Sequence, residues 1–375
     1  MKCVAIIGCG FVADLYMRSF ARHGDIRIVA VYDRSKDRLE AFSKYWKVTA
    51  ASDLSVLFSA LPEDGLILNL TNPHAHYDIN KAALNAGHHV FCEKPLALSF
   101  DQALELLELA KERKLQLGCA PSSVLGEAAQ TLGRALRNRV GGLPRLVYAE
   151  LDDGYVSQAP VEDWRSESGA AWPFEDEFRT GCTLEHAGYY LSWLIASFGS
   201  VKRVVACSAE VVPEKCGVTG AAPDFSVAVL DFEDGPIARL TCSISAPHDH
   251  RLRIITEDGV LSVAKAWDNT APVRFHRRMK IRRRLLEHPV GKRLRLSTRK
   301  THPKLPRKGA AAMNFALGPE EMLNAISTDR QSRLAGDYAL HLTEITLAIH
   351  NAGFYGGTYH PKSRCPVMEP MPWAH

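Results

Sequence analysis

Gly8-Cys9-Gly10-Phe11-Val12-Ala13 is a GxGxxA turn set between a short apolar run at 4–7 and a helix-like stretch at 11–22. The first glycine permits a tight turn, the second lets backbone approach a pyrophosphate, and the small Ala13 lets helix and sheet pack closely. The helix start then offers unpaired N–H groups to the phosphates. A second β-rich run, 28–32, ends in Asp33, whose carboxylate can hold ribose hydroxyls. This spacing calls for a nicotinamide dinucleotide. Asp33 favours NAD, because it would repel the extra 2′-phosphate of NADP. Arg34 could pair with that phosphate or stack on the adenine, so NADP stays open.

Other residues could act on a substrate. Cys92-Glu93-Lys94-Pro95 follows a strand-like run, at the carboxyl edge where parallel sheets bind ligands. Lys94 could hydrogen-bond a substrate hydroxyl as it becomes an alkoxide; a surface lysine before a proline-stopped turn is the plain alternative. Asp163-Trp164-Arg165 and Trp172-Pro173-Phe174 set aromatic faces beside polar groups, which suits the faces and hydroxyls of a sugar, or equally domain packing. His248-Asp249-His250 points two rings to one side of a strand with no third ligand evident. A hydrogen-bonded strand end is expected there, and no metal.

The elements that must hold these residues alternate through the first third. Strand-like runs at 4–7, 28–32, 65–70, 89–92 and 115–119 are separated by helix-like stretches at 11–22, 36–44, 78–85 and 100–113. Repeated β-α-β with short connections predicts an α/β unit, a Rossmann-type doubly wound parallel sheet over residues 1–121. Residues 122–375 change texture. After a helix at 126–138, strand-like runs at 146–151, 201–212, 226–232, 237–245, 252–256 and 259–263 dominate, with helices at 183–198 and 338–351. Glu233-Asp234-Gly235 joins two of the runs as a hairpin turn would. An α+β domain on a large, mostly antiparallel open sheet is expected, binding substrate and forming oligomers.

With 375 residues, the chain exceeds one ordinary core, and 46% hydrophobic with 23% charged residues is a globular balance. Nine scattered cysteines without a CxxC pair suggest neither a disulfide framework nor a zinc ribbon, and fit a reducing compartment. No apolar stretch approaches the roughly 20 residues that cross a bilayer. The first apolar run leads into glycines and not a cleavage site, so a cytoplasmic protein is expected. The formal net charge of +4 conceals a basic insertion at 274–308, with 15 Lys or Arg and one acid, Glu287; the remainder carries 31 bases and 41 acids. A solvated, partly disordered insertion is the plain expectation. Its interleaved Met279, Ile281, Leu285 and Leu286 also suit peripheral contact with an anionic membrane or a polyanionic glycan. No recognition fold or stacking aromatics accompany it, so no specific nucleic-acid partner is expected.

The glycine turn at 8–13, Asp33, Thr71-Asn72-Pro73 with His76, and Glu93-Lys94-Pro95 together resemble the glucose–fructose oxidoreductase/inositol dehydrogenase/MocA family. The resemblance covers the whole chain. It implies an NAD(P)-dependent oxidoreductase that moves hydride between nicotinamide and a carbinol carbon of a sugar, cyclitol or sugar derivative, glycan or nucleotide sugar included. The substrate would lie between the domains, with Lys94 as the active-site lysine and Glu93 helping to place it. Thr71, Asn72, Pro73 and His76 would line the cofactor side, and the open sheet would pair copies into a homodimer or homotetramer. Where the family usually carries Asp-x-Gly-x-His, this chain has Glu185-His186-Ala187-Gly188-Tyr189, and some members use tyrosine at the last position. Tyr189 is therefore the expected acid/base, four residues from Glu185 on one helical face. Lys94 and an oxidised nicotinamide would lower its pKa from the free value near 10. His186 is the rival, with an imidazole suited to neutral pH but lying about 100° around an α-helix from Glu185. Two other classes stay open: an NAD-dependent glycosidase that oxidises C3 transiently before elimination, and an NAD(H)-binding protein without turnover.

Overall fold

Short apolar runs in the first third form β1 (Lys2–Ile7), β2 (Ile26–Tyr32), β3 (Leu66–Asn69), β4 (His89–Cys92) and β5 (Leu117–Cys119) in a computed structural model that describes residues 1–375 except 266, 299 and 308. They pair in parallel in the order β2-β1-β3-β4-β5. Every residue of β3 is buried, as a strand covered by helices on both faces must be. The helices are α1 (Phe11–Phe20), α2 (Lys36–Trp46), α3 (Leu54–Ser59), α4 (Pro73–Asn85) and α5 (Phe100–Glu112). Ser35, Asp53 and Ser99 cap α2, α3 and α5 by accepting a backbone N–H of the first turn. By contrast, α1 and α4 start at Gly10 and Asn72 without a side-chain cap. These two starts follow β1 and β3, the neighbours between which the strand order reverses, and that is where an open parallel sheet forms its ligand crevice.

The rest of the chain contributes α6 (Glu127–Arg137), β6 (Pro144–Gly154), α7 (Phe174–Thr180), α8 (Gly188–Phe198), β7 (Val201–Ala209), β8 (Phe225–Phe232) and β9 (Ile237–Ser243). There follow β10 (Ala246–Asp249), β11 (Leu252–Thr256), β12 (Gly259–Val263), β13 (Arg274–Ile281), β14 (Arg284–Glu287), β15 (Lys292–Arg293), α9 (Leu317–Ser327), α10 (Asp337–His350) and β16 (Thr358–Tyr359). Their 11-stranded sheet runs β14-β13-β12-β11-β6-β9-β8-β7-β16, with β10 on β6 and β15 on β13. Among the described residues β6 and β9 pair in parallel and the other pairs are antiparallel. The fold class read from the sequence is therefore the one observed. Buried Tyr190, Leu191, Trp193, Leu194 and Ile195 of α8 join one apolar core with Val204, Ala228 and Leu240 of the sheet. Neither α7 nor α9 was anticipated. α7 has seven residues, too few for a readable period, and α9 carries Gly318-Pro319 in its first turn, which reads as a break.

The basic segment is the clearest departure from expectation. Residues 274–293 are not an unstructured insertion. β13 extends the sheet edge from β12, and β13 and β14 form a hairpin whose turn uses Arg282 at φ 53°. The apolar residues there do not make a core: Ile281, Leu285 and Leu286 are exposed. Of the segment's bases, Arg299 and Lys308 lie outside the described residues. Among the described residues no helix is long and apolar enough to cross a membrane.

Candidate active site

The glycine turn fits a dinucleotide for two separate reasons. Gly8 sits at φ +98°, and a Cβ there would lie 2.6 Å from the Leu70 carbonyl oxygen, so the fold itself demands glycine. A Cβ on Gly10 would meet nothing within 4 Å, so the space beside the uncapped start of α1 is open to a phosphate. Ala13 is fully buried between helix and sheet. At the end of β2, Asp33 accepts the Cys9 N–H through Oδ2 and the Ser35 N–H through Oδ1, both at 2.8 Å, which ties the ribose-side carboxylate to the turn. Arg34 is exposed beside it, whereas Arg38, which sequence reading passed over, donates to the Cys9 carbonyl at 2.8 Å. A pair of substitutions separates fold from ligand. Gly8→Ala should cost about 2–4 kcal/mol in urea unfolding. Gly10→Ala should stay within about 0.5 kcal/mol of the parent while weakening NADH binding at least about tenfold in a fluorescence titration.

A cavity of about 280 Å³ opens between the two domains. One wall holds Gly10, Phe11, Val12, Thr71, Asn72, Pro73, His76, Glu93 and Lys94, and the other Trp172, Glu177, Glu185, His186, Tyr189 and Trp267. Glu93 is nearly buried and holds Lys94 from behind. Its Oε1 accepts the Tyr16 hydroxyl at 2.6 Å and its Oε2 the Lys94 N–H at 3.1 Å. The His76 ring lies between two carbonyls, 2.6 Å from that of Pro95 and 2.8 Å from that of Thr71, so it braces both loops; burial pushes its pKa below the ordinary value. Asn72 donates to Asp176 of α7, a bond that crosses between the domains.

Lys94 Nζ is paired with Glu185 Oε2. Burial opposes its charge, but Glu185 and Glu177 outweigh burial and hold the ammonium well above its ordinary pKa. Glu177 is pushed well above the ordinary carboxylate value, first by burial and then by Glu185 beside it. Lys94 lowers the pKa of Tyr189 in the expected direction, but burial is the larger effect and raises the phenol above its ordinary value.

The helical geometry differs as well. Thr183–Ala187 forms a π-helical turn ahead of α8, and in this wider i→i+5 winding Glu185, His186 and Tyr189 all border the cavity. An ideal α-helix would set His186 about 100° around from Glu185, at the flank of that face. His186 Nδ1 lies 2.7 Å from Asp153 Oδ2 at the end of β6. Burial opposes the charge on Asp153, yet His186 and His250 hold its carboxyl at about 2. Trp172 reaches the cavity, but Trp164 packs against it in a tilted arrangement, 5.0 Å between ring centres, and does not line the wall. Arg165 is exposed and donates to the carbonyls of Glu162 and Trp164, away from the cavity. Sequence reading missed Glu177, whose only signal was the acidic run Glu175-Asp176-Glu177, and Trp267, which had none.

Comparison with known proteins agrees with this architecture. Residues 2–120 match the model of an oxidoreductase family with an NAD-binding Rossmann fold, and residues 130–262 match the GFO/IDH/MocA C-terminal domain. An uncharacterized oxidoreductase of Synechocystis sp. is 24% identical over 92% of this chain and 93% of its own length. The D-glucoside 3-dehydrogenase of Escherichia coli is 31% identical over 36% of this chain and 43% of its own length. In fold, the chain resembles an inositol dehydrogenase homolog of Azotobacter vinelandii, solved with NADH and myo-inositol, at a TM-score of 0.75 and 16% identity, covering 96% of this chain and 97% of that one. Two matched domains, a dinucleotide turn and the lysine at the domain interface make this chain a member of the GFO/IDH/MocA family of NAD(P)-dependent oxidoreductases.

Proposed function

We propose that this chain interconverts a secondary alcohol and a ketone on a sugar or sugar derivative, using NAD in preference to NADP. The observation that carries this reading is the meeting of Lys94, Tyr189 and the glycine turn on one cavity between the domains. The nicotinamide, when bound, takes or gives the hydride. Lys94 stabilises negative charge on the carbinol oxygen as the C–H bond breaks, and Tyr189 takes the hydroxyl proton. Glu93 fixes the backbone of Lys94, while Glu185 pairs with its ammonium. Trp172 and Trp267 offer aromatic faces suited to the C–H faces of a sugar ring. Support for the substrate class comes from the relatives: a D-glucoside 3-dehydrogenase and a homolog crystallised with myo-inositol. Self-association through the outer face of the large sheet belongs to the same reading, because Leu146, Val205, Val229 and Ile237 leave apolar surface exposed there.

The test is an absorbance assay of the purified chain with NAD or NADP against polyols, free sugars, nucleotide sugars and aryl glycosides. NADH should accumulate with at least one sugar alcohol, and Asp33 should favour NAD by about tenfold or more. Release of an aryl group without net NADH would replace this reading with oxidation–elimination at C3. Tight NADH binding with no turnover on the whole set would make the chain a binding protein.

A further inference from the structure

We propose that Asp153, His248 and His250 bind a divalent transition metal ion behind the cavity wall formed by His186. β10 lies antiparallel to the end of β6 with Asp249 opposite Asp152. The two histidines flanking Asp249 thereby meet the carboxylate of Asp153, the third donor that spacing along the sequence could not reveal. His250 Nε2 is 2.9 Å from Asp153 Oδ1 and His248 Nδ1 is 4.0 Å from the same oxygen. One donor atom from each of the three residues lies within 4.8 Å of the others. Metal–nitrogen and metal–oxygen bonds of about 2.1 Å put neighbouring donor atoms roughly 3–3.5 Å apart, so only a small contraction is needed. The ring free to make it is His248, 58% exposed, while Asp153 and His250 are 2% exposed and fixed.

Hydrogen bonding alone accounts poorly for this cluster. His248 Nδ1 is too far from the carboxylate for a hydrogen bond, although its ring packs 4.1 Å from that of His250. His186 Nδ1 is 2.7 Å from Asp153 Oδ2 yet forms no well-aligned hydrogen bond with it. Two imidazoles and one carboxylate suit zinc, cobalt(II) or iron(II) better than magnesium or calcium, and three protein donors leave coordination positions open. Asp153 would then join the ion through Oδ1 to His186 through Oδ2, so that occupancy is felt at the cavity wall.

The test uses the untagged full chain, stripped with a chelator and titrated with Co²⁺ and then Zn²⁺. The expected result is roughly one equivalent of Co²⁺ with visible ligand-field bands, displaced by Zn²⁺. His248→Ala, at an exposed ring, should weaken Co²⁺ binding by more than about 100-fold, beyond the effect of losing an outer-shell contact. Asp153→Asn should do the same, with circular dichroism confirming its fold. Absence of Co²⁺ uptake, or uptake unchanged by His248→Ala, would overturn the proposal and leave Asp153 as a hydrogen-bonded partner of His250. Neither outcome depends on turnover, so each is separable from failure of the dehydrogenase reading.

Discussion

Replacing Lys94 with methionine should lower kcat/KM for the sugar substrate by about 10³-fold while changing NADH affinity less than about threefold. The two readouts divide because, in the proposed mechanism, the glycine turn and Asp33 hold the dinucleotide and the ammonium acts on the carbinol oxygen. Methionine keeps most of the side-chain volume and removes only the charge and its donors. The substitution has a structural cost as well. Glu185, 7% exposed, loses its partner, and a buried carboxylate left alone destabilises by about 3–5 kcal/mol. Adding Glu185→Gln to Lys94→Met should therefore restore the unfolding midpoint without restoring turnover. Recovery of activity along with stability would show that Lys94 is a structural cation and not a group acting on substrate.

What the sequence made legible follows from the range of the interactions. The turn at 8–13, Asp33 and Lys94 lie at strand ends within one parallel sheet, and the β-α-β order that places them is local in sequence. The large sheet was legible in class because its strands alternate and are joined by hairpins. The cavity's far wall was not. Trp267 reaches it from beyond β12, and Asp153 meets His250 across nearly a hundred residues, so no local period connects them. The π-turn at Thr183–Ala187 inserts extra winding that a pattern built on 3.6 residues per turn cannot register, and it changes which side chains face the site. Trp164 and Arg165 were attractive by type alone; their backbone turns them onto Trp172 and onto local carbonyls. The basic hairpin failed for the opposite reason: composition suggested disorder, but β12 offers an open edge to which any extended chain can pair.

Tyr189→Phe should reduce kcat by about 10³-fold in both directions, whereas His186→Gln should cost less than about tenfold. Phenylalanine preserves the edge-on packing of residue 189 against Trp267, whose ring centre lies 5.8 Å away, so the loss reports the hydroxyl. The pH profile separates the two residues independently. Burial, opposed but not overcome by Lys94, raises the phenol above its ordinary pKa, so at neutral pH Tyr189 is protonated. That form is ready to donate to a ketone oxygen, and reduction should be flat with pH through the neutral range. Oxidation needs the deprotonated form, so its kcat/KM should climb about tenfold per pH unit into the alkaline range. In Tyr189→Phe the residual rate should lose that slope. With an imidazole base the profile would not depend on the phenol and would survive Tyr189→Phe. A rise that survives Tyr189→Phe and vanishes in His186→Gln would transfer the proton to His186, and with it the Asp153 contact that the π-turn brings within 2.7 Å.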